Sequence, residues 1–194
     1  MQPTALCKLI LPAITTLLLA GCANLRHQPP PKPQIPPAPR PPHAWDAEKA
    51  RAETGGPKLI VDLSDQRVYF FKGATLIGDT RCSTGKKGFA TPPGEYKVTQ
   101  KNKDHVSNLY GNFVDAEGTV ITRDVDMSKM KVPEGLSFDG AKMPFYMRFH
   151  KGYGMHSGIV PNRPASHGCV RLPRIMAQRF FENATVGVPV TVQE

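Results

Sequence analysis

The chain has 194 residues, 40% of them hydrophobic, and a formal charge of +9. That length allows one ordinary domain with extra segments. Nineteen Lys/Arg against thirteen Asp/Glu from Pro57 onward leave the presumed domain at +6, and no basic block is longer than Lys86-Lys87. With neither a basic helix nor an aromatic-interleaved basic stripe, nothing points to nucleic acid. The excess suits a solvated surface or an acidic polymer or membrane nearby.

In chain order, residues 1–21 read as a secretory signal: Lys8 precedes Leu9-Ile10-Leu11 and the run Leu17-Leu18-Leu19-Ala20, too short an apolar stretch to span a bilayer stably. It ends in Leu19-Ala20-Gly21-Cys22, which resembles the bacterial lipobox. The resemblance implies acylation of Cys22 and an anchor made by buried acyl chains. An ordinary secreted protein with a chance cysteine is the alternative. Ala23, in place of aspartate, favours the outer over the inner membrane by the sorting rules of Gram-negative lipoproteins. Residues 28–42 hold nine of the twenty prolines and read as a polyproline II spacer. The stretch from Cys22 to Pro42 spans on the order of 60 Å at about 3.1 Å per residue. Residues 22–56 are thus expected as a lipidated N-terminus and linker, and residues 57–194 as the catalytic domain.

Ala44 to Glu53 favours a short helical turn, broken by Gly55-Gly56-Pro57. Leu59–Leu63 and Arg67–Phe71 flank Ser64-Asp65-Gln66 as a hairpin. Further strands are expected at Thr75–Gly78, Glu95–Thr99, Val120–Thr122, Pro144–His150 and Val186–Val192. Arg174 to Asn183 reads as a helix, with Ile175, Phe180 and Phe181 among its apolar positions and Pro173 near its start. The polar stretch Asn102–Ala141 has no clear pattern. Short strands with Gly/Pro/Asp turns make the fold mainly β, a sandwich or barrel with one or two short helices.

Chemistry concentrates in Met155-His156-Ser157-Gly158 and Ser166-His167-Gly168-Cys169-Val170-Arg171. A nucleophilic thiol needs a base or a positive neighbour. Glycine beside it lets backbone N–H groups approach a reacting carbonyl. Three readings compete: a cysteine acyl-transfer site, a zinc site using His and Cys, and a structural cluster. The spacing lacks Cys-x-x-Cys and His-x-x-x-His, and His-Gly-Cys is not a common zinc arrangement. Pro161 and Pro164 make the intervening segment a stiff loop. No metal or cofactor is called for. Of the four cysteines, Cys82 and Cys169 fall in the folded part, and both are expected as thiols, with a structural disulfide between them the alternative.

These residues resemble the signature of the L,D-transpeptidase (YkuD-type) catalytic domain family: a histidine, here His156, then after a loop Ser166-His167-Gly168-Cys169-Val170-Arg171. Small residues before a Thr-Pro-x-Gly turn match Ser83-Thr84-Gly85 and Thr91-Pro92-Pro93-Gly94. The resemblance runs from about Lys58 to Val192, and extends to a branch with Met-His-Ser/Ala-Gly and a proline-containing loop, here the short Ile159–Ala165. It implies Cys169 as nucleophile, His156 as proton acceptor and donor, Ser157 as orienter of His156 through its backbone carbonyl, and His167 as part of the frame. Backbone N–H groups around Gly168 and Cys169 would hold the oxyanion. Arg171, Ser166 and Tyr153 are expected to meet substrate, Arg171 through carboxylates; a surface ion pair is its plainer reading. Ser83, Thr84 and Gly85 either turn the chain or line the cleft. Thr91 to Gly94 read as structural, and Tyr146 as packing.

The implied activity is peptidoglycan L,D-transpeptidation. Cys169 takes the acyl group of a stem tetrapeptide and passes it to an amine, giving a 3→3 crosslink or attachment of an anchored lipoprotein. The alternative has water as acceptor, an L,D-carboxypeptidase or amidase that releases wall peptides. A wall-binding module without chemistry would not need the intact His156 and Cys169. The expected setting is the periplasm, anchored to the membrane by lipid, with stem peptides as partners.

Overall fold

A computed structural model describes residues 41–161 and 163–194. The expected signal, Cys22 and most of the proline-rich linker lie outside the described residues. The elements in order are β1 (His43–Trp45), α1 (Ala47–Ala52), β2 (Pro57–Asp62), β3 (Arg67–Lys72), β4 (Thr75–Arg81), β5 (Gly94–Lys97), β6 (Gln100–Val114), β7 (Val120–Asp126), β8 (Ser137–His150), β9 (Tyr153–Ser157), β10 (Val170–Leu172), α2 (Arg174–Asn183) and β11 (Pro189–Gln193). They form a six-stranded sheet, β1-β4-β3-β2-β11-β5, and a five-stranded sheet, β10-β9-β8-β6-β7. The fold is mainly β, as expected.

The β2–β3 hairpin closes where the sequence places it. Asp62 carboxylate accepts from the Ser64 hydroxyl and the Asp65 amide, both at 2.8 Å, and Gln66 turns the chain at φ 48°. Both strands lie deep in the sheet and are buried on both faces, so their sequences run almost uniformly apolar instead of alternating. The core draws on both sheets and on α2: Leu59, Val61, Val68 and Phe70 meet Met147, Phe149, Met155 and Leu172, with Met176, Ala177 and Phe180 among them. Trp45, Phe70 and Phe180 pack ring to ring at centroid distances of 5.4 to 6.1 Å, within the range where edge and offset contacts add to burial.

α2 has the expected bounds, but its buried stripe is Met176, Ala177 and Phe180; Ile175 is 47% exposed. Those positions share one face at helical spacing, and Ile175 falls off it. The stretch Asn102–Ala141 is mostly strand, in the long antiparallel pair β6–β8 with β7 on its flank.

The five-stranded sheet separates packing from chemistry by the two-residue period of its strands. Phe145, Met147, Phe149, Met155, Val170 and Leu172 enter the core. The alternate positions Tyr146, Arg148, His156 and Arg171 line an open cleft on the other face, as does Cys169 just before β10.

Candidate active site

The cleft has a volume of about 770 Å³. β9 and β10 run parallel, with Arg171 opposite His156 and Val170 opposite Met155. Directly paired residues point to the same side of a sheet. Cys169, one residue before the first paired position, therefore falls beside Gly154 and diagonal to His156, on the same face. Two segments thirteen residues apart are joined by backbone register.

His156 is 6% exposed. Its Nδ1 lies 2.8 Å from the Ser157 carbonyl oxygen, the orienting contact expected of Ser157. Nδ1–H donates to that carbonyl, so the free lone pair sits on Nε2. Burial pushes the ring's pKa down to about 4, against the raising effect of the Ser157 carbonyl; the charges of Arg171 and His105 push the same way as burial. At neutral pH the imidazole is an uncharged base. Burial also raises the Cys169 thiol, opposed by the Gly154 N–H and by Arg171 and Arg148. Cys169 is a free thiol, as is the buried Cys82, so the two do not form a disulfide. The Cys169 Sγ lies 3.8 Å from the Gly152 carbonyl oxygen.

The loop before the cysteine is shaped by two hydroxyls. Ser166 Oγ donates to the Cys169 carbonyl and accepts from the Gly168 amide at 3.0 Å, so this buried side chain holds the turn. Thr91 Oγ1 donates to the Gly168 carbonyl at 2.7 Å and accepts from the Gly85 amide at 3.0 Å. Because a trans peptide sets N–H and C=O on opposite sides, fixing the Gly168 carbonyl on Thr91 turns the Cys169 N–H the other way. Gly168 has φ +115°, and a Cβ there would sit 2.6 Å from the Tyr153 ring. Only glycine allows this turn with that ring in place.

Ser83, Thr84 and Gly85 extend the sheet edge along this loop. Ser83 exchanges backbone hydrogen bonds with Arg171, and Ser166 N donates to Thr84 O. They brace the loop and are not among the residues lining the cleft. His167 is held between Phe89 (centroids 4.7 Å, edge-on) and Tyr110 (4.6 Å, stacked) and lines the cleft as part of its frame. Tyr153 and Arg171 also line it, and among the described residues no carboxylate pairs with Arg171.

The cleft also contains Arg148, not singled out from the sequence, and Tyr146, expected there only to pack. Tyr146 is 1% exposed; its hydroxyl donates to the Gly152 carbonyl at 3.2 Å, and its ring lies 4.2 Å from His105 and 6.3 Å from His156. Gly154 leaves room for that ring, since a Cβ would come within 2.4 Å of it. Arg148 stands opposite Gly154 in register. The signal for Tyr146 and Arg148 was their alternation with Phe145, Met147 and Phe149. It becomes meaningful only once β8 is paired with β9.

A thiol, a neutral imidazole with a fixed tautomer and a backbone amide turned away from Thr91 are the parts of an acyl-transfer centre. The profile of the L,D-transpeptidase catalytic domain, YkuD, matches residues 56–192. The chain belongs to the YkuD family. Solved structures with a similar fold include an L,D-transpeptidase from Stackebrandtia nassauensis (TM-score 0.52, 22% identity, 76% of this chain and 60% of that one). Others are an L,D-transpeptidase from Mycobacterium smegmatis (0.55, 20%, 72% and 59%) and L,D-transpeptidase 1 from Mycobacterium tuberculosis (0.53, 18%, 72% and 62%). The chain spans about three fifths of the length of these YkuD proteins. A comparison with curated proteins gave no match.

Proposed function

We propose that the protein is a peptidoglycan L,D-transpeptidase working through a Cys169 thioester. The observation that carries this reading is the placement of Cys169 and His156 on one face of adjacent parallel strands, with His156 Nδ1 bound to the Ser157 carbonyl. Cys169 Sγ attacks the carbonyl of the third residue of a stem tetrapeptide as its proton passes to His156 Nε2. The carbonyl oxygen becomes an oxyanion and takes the Cys169 N–H as a donor, a contact worth about 3–4 kcal/mol in such sites. The tetrahedral adduct collapses, the C–N bond breaks, and His156 returns the proton to the departing amino group of the terminal D-residue. An acceptor amine then gives a proton to Nε2 and attacks the thioester, restoring the thiol and forming a new amide. Arg171, which has no carboxylate partner among the described residues, receives a substrate carboxylate at the cleft wall, and Tyr153 packs against the peptide.

The test is the product formed from labelled disaccharide-tetrapeptide. A crosslinked dimer supports transpeptidation. Free tripeptide alone would replace it with a carboxypeptidase. In the same reading the lipobox residue Cys22 is acylated and the proline-rich segment holds the domain off the membrane, placing the thiol outside the cytoplasm within reach of the wall. Membrane fractionation checks this: Cys22→Ser should move the protein to the soluble fraction, and unchanged membrane association would contradict the anchor.

A further inference from the structure

The cleft holds a second guanidinium, Arg148, that the steps above do not use. Its register partner across β8–β9 is Gly154, and Cys169 falls on the far side of that glycine. Arg148, Gly154 and Cys169 thus make one row over three strands, about 10 Å from end to end at roughly 4.8 Å per strand. With no side chain at 154, an arginine's length covers most of that gap.

Arg148 reaches the cleft without a counter-ion. No carboxylate among the described residues pairs with it, and its Nε is buried with no hydrogen-bond partner. Asp124 is the one carboxylate among the described residues lining the cleft, and its charge acts on His167. The guanidinium carbon lies 5.9 Å from the centre of the Tyr146 ring, which braces it from the side. A buried N–H donor is normally satisfied, because an unmet one gives up its hydrogen bond to water for nothing. The same guanidinium also hydrogen-bonds the Tyr146 hydroxyl, so what it lacks is a counter-ion and a partner for Nε, and a carboxylate entering the cleft would supply both.

We propose that Arg148 anchors a carboxylate of the acyl donor next to the scissile bond, as a specificity-determining residue; this rests on the transpeptidase reading. At about 3.4 Å per residue of extended peptide, the row places that carboxylate within about one residue of the attacked carbonyl. Two carboxylates meet this condition: the terminal one of the departing residue, and the side-chain one of the residue that keeps the acyl group.

The experiment measures acylation of the full-length chain, purified in detergent, with three tetrapeptide donors: both carboxylates free, the terminal one amidated, and the side-chain one amidated. The wild type is expected to lose tenfold or more in kcat/KM, chiefly through KM, when one of them is amidated. Arg148→Gln should lose a similar factor on the free donor and no longer distinguish it from that amide, which identifies the carboxylate. Arg148→Lys, which keeps the charge but not the fork, should fall between, and it serves if Arg148→Gln fails to fold. Equal slowing of all three donors, or discrimination that survives the substitution, would overturn the proposal. Absence of wild-type acylation with every donor is a separate result, and it would overturn the transpeptidase reading instead.

Discussion

His156 has no carboxylate behind it. Its orienting partner is the uncharged Ser157 carbonyl, and desolvation decides its charge, setting its pKa to about 4. The resting pair is therefore thiol and imidazole, not thiolate and imidazolium, and the proton moves only during attack. The acid limb of kcat/KM for acylation is expected near pH 4, with a plateau through neutrality; a limb at an ordinary histidine value would contradict it. Stability carries the same signature. An unfolded histidine takes its proton near 6.5, before the folded one does, so protonation favours the unfolded chain as pH falls from 6.5 toward 4. About 3 kcal/mol should be lost over that window and then level off. Denaturant titrations at stepped pH, compared with His156→Gln, check this. At this scale the sequence revealed what is contiguous: Cys169, His156, Gly168 and Arg171 announce themselves by their neighbours. Arg148 and Gly154 do not, and Thr91 and Tyr146 showed only as turn and packing residues, because strand register and loop contacts bring them to the thiol.

Among the elements, α2 closes the core against β8 and β9, and Phe180 is its anchor, stacked on Phe70 at 5.4 Å and close to Trp45. Phe180→Ala should destabilise the fold by about 3–5 kcal/mol, read as a shift of the denaturant midpoint; a loss below about 1 kcal/mol would show that α2 is not integral to the core. The helix was legible because Pro173 marks its start and its apolar residues repeat at helical spacing, although the inward face proved to hold Met176 and Ala177 and not Ile175. Val120–Thr122 was read as a strand and opens β7, but β6, the rest of β7 and the first half of β8 were not legible. In much of that stretch buried positions are sparse; one side faces the cleft or solvent, so polar residues such as His105, Ser107 and Asp124 interrupt the two-residue alternation that marks a strand. The stretch without pattern in the sequence forms a wall of the cleft.

For the whole molecule, the mainly β fold followed from short strands and turn residues, while the choice of two sheets over a barrel and the order of strands did not. β11 at the chain's end runs parallel to β2 near its beginning, between β2 and β5, a pairing no local pattern encodes. That architecture sets one sheet's inner face into the common core and leaves its outer face for chemistry, so stability and reactivity draw on different side chains of the same strands. The proposed tether adds only location: a polyproline stretch from Cys22 would give the cleft a reach on the order of 60 Å from a membrane. All of the proposed chemistry runs through a covalent acyl intermediate on Cys169. Its most direct test is mass spectrometry of the full-length chain after brief incubation with a stem tetrapeptide, followed by peptide mapping. A tripeptide acyl group on Cys169 is expected, with loss of the terminal residue and no adduct in Cys169→Ala. No adduct while the Cys169 thiol is shown to be free, or an adduct on another residue, would contradict it.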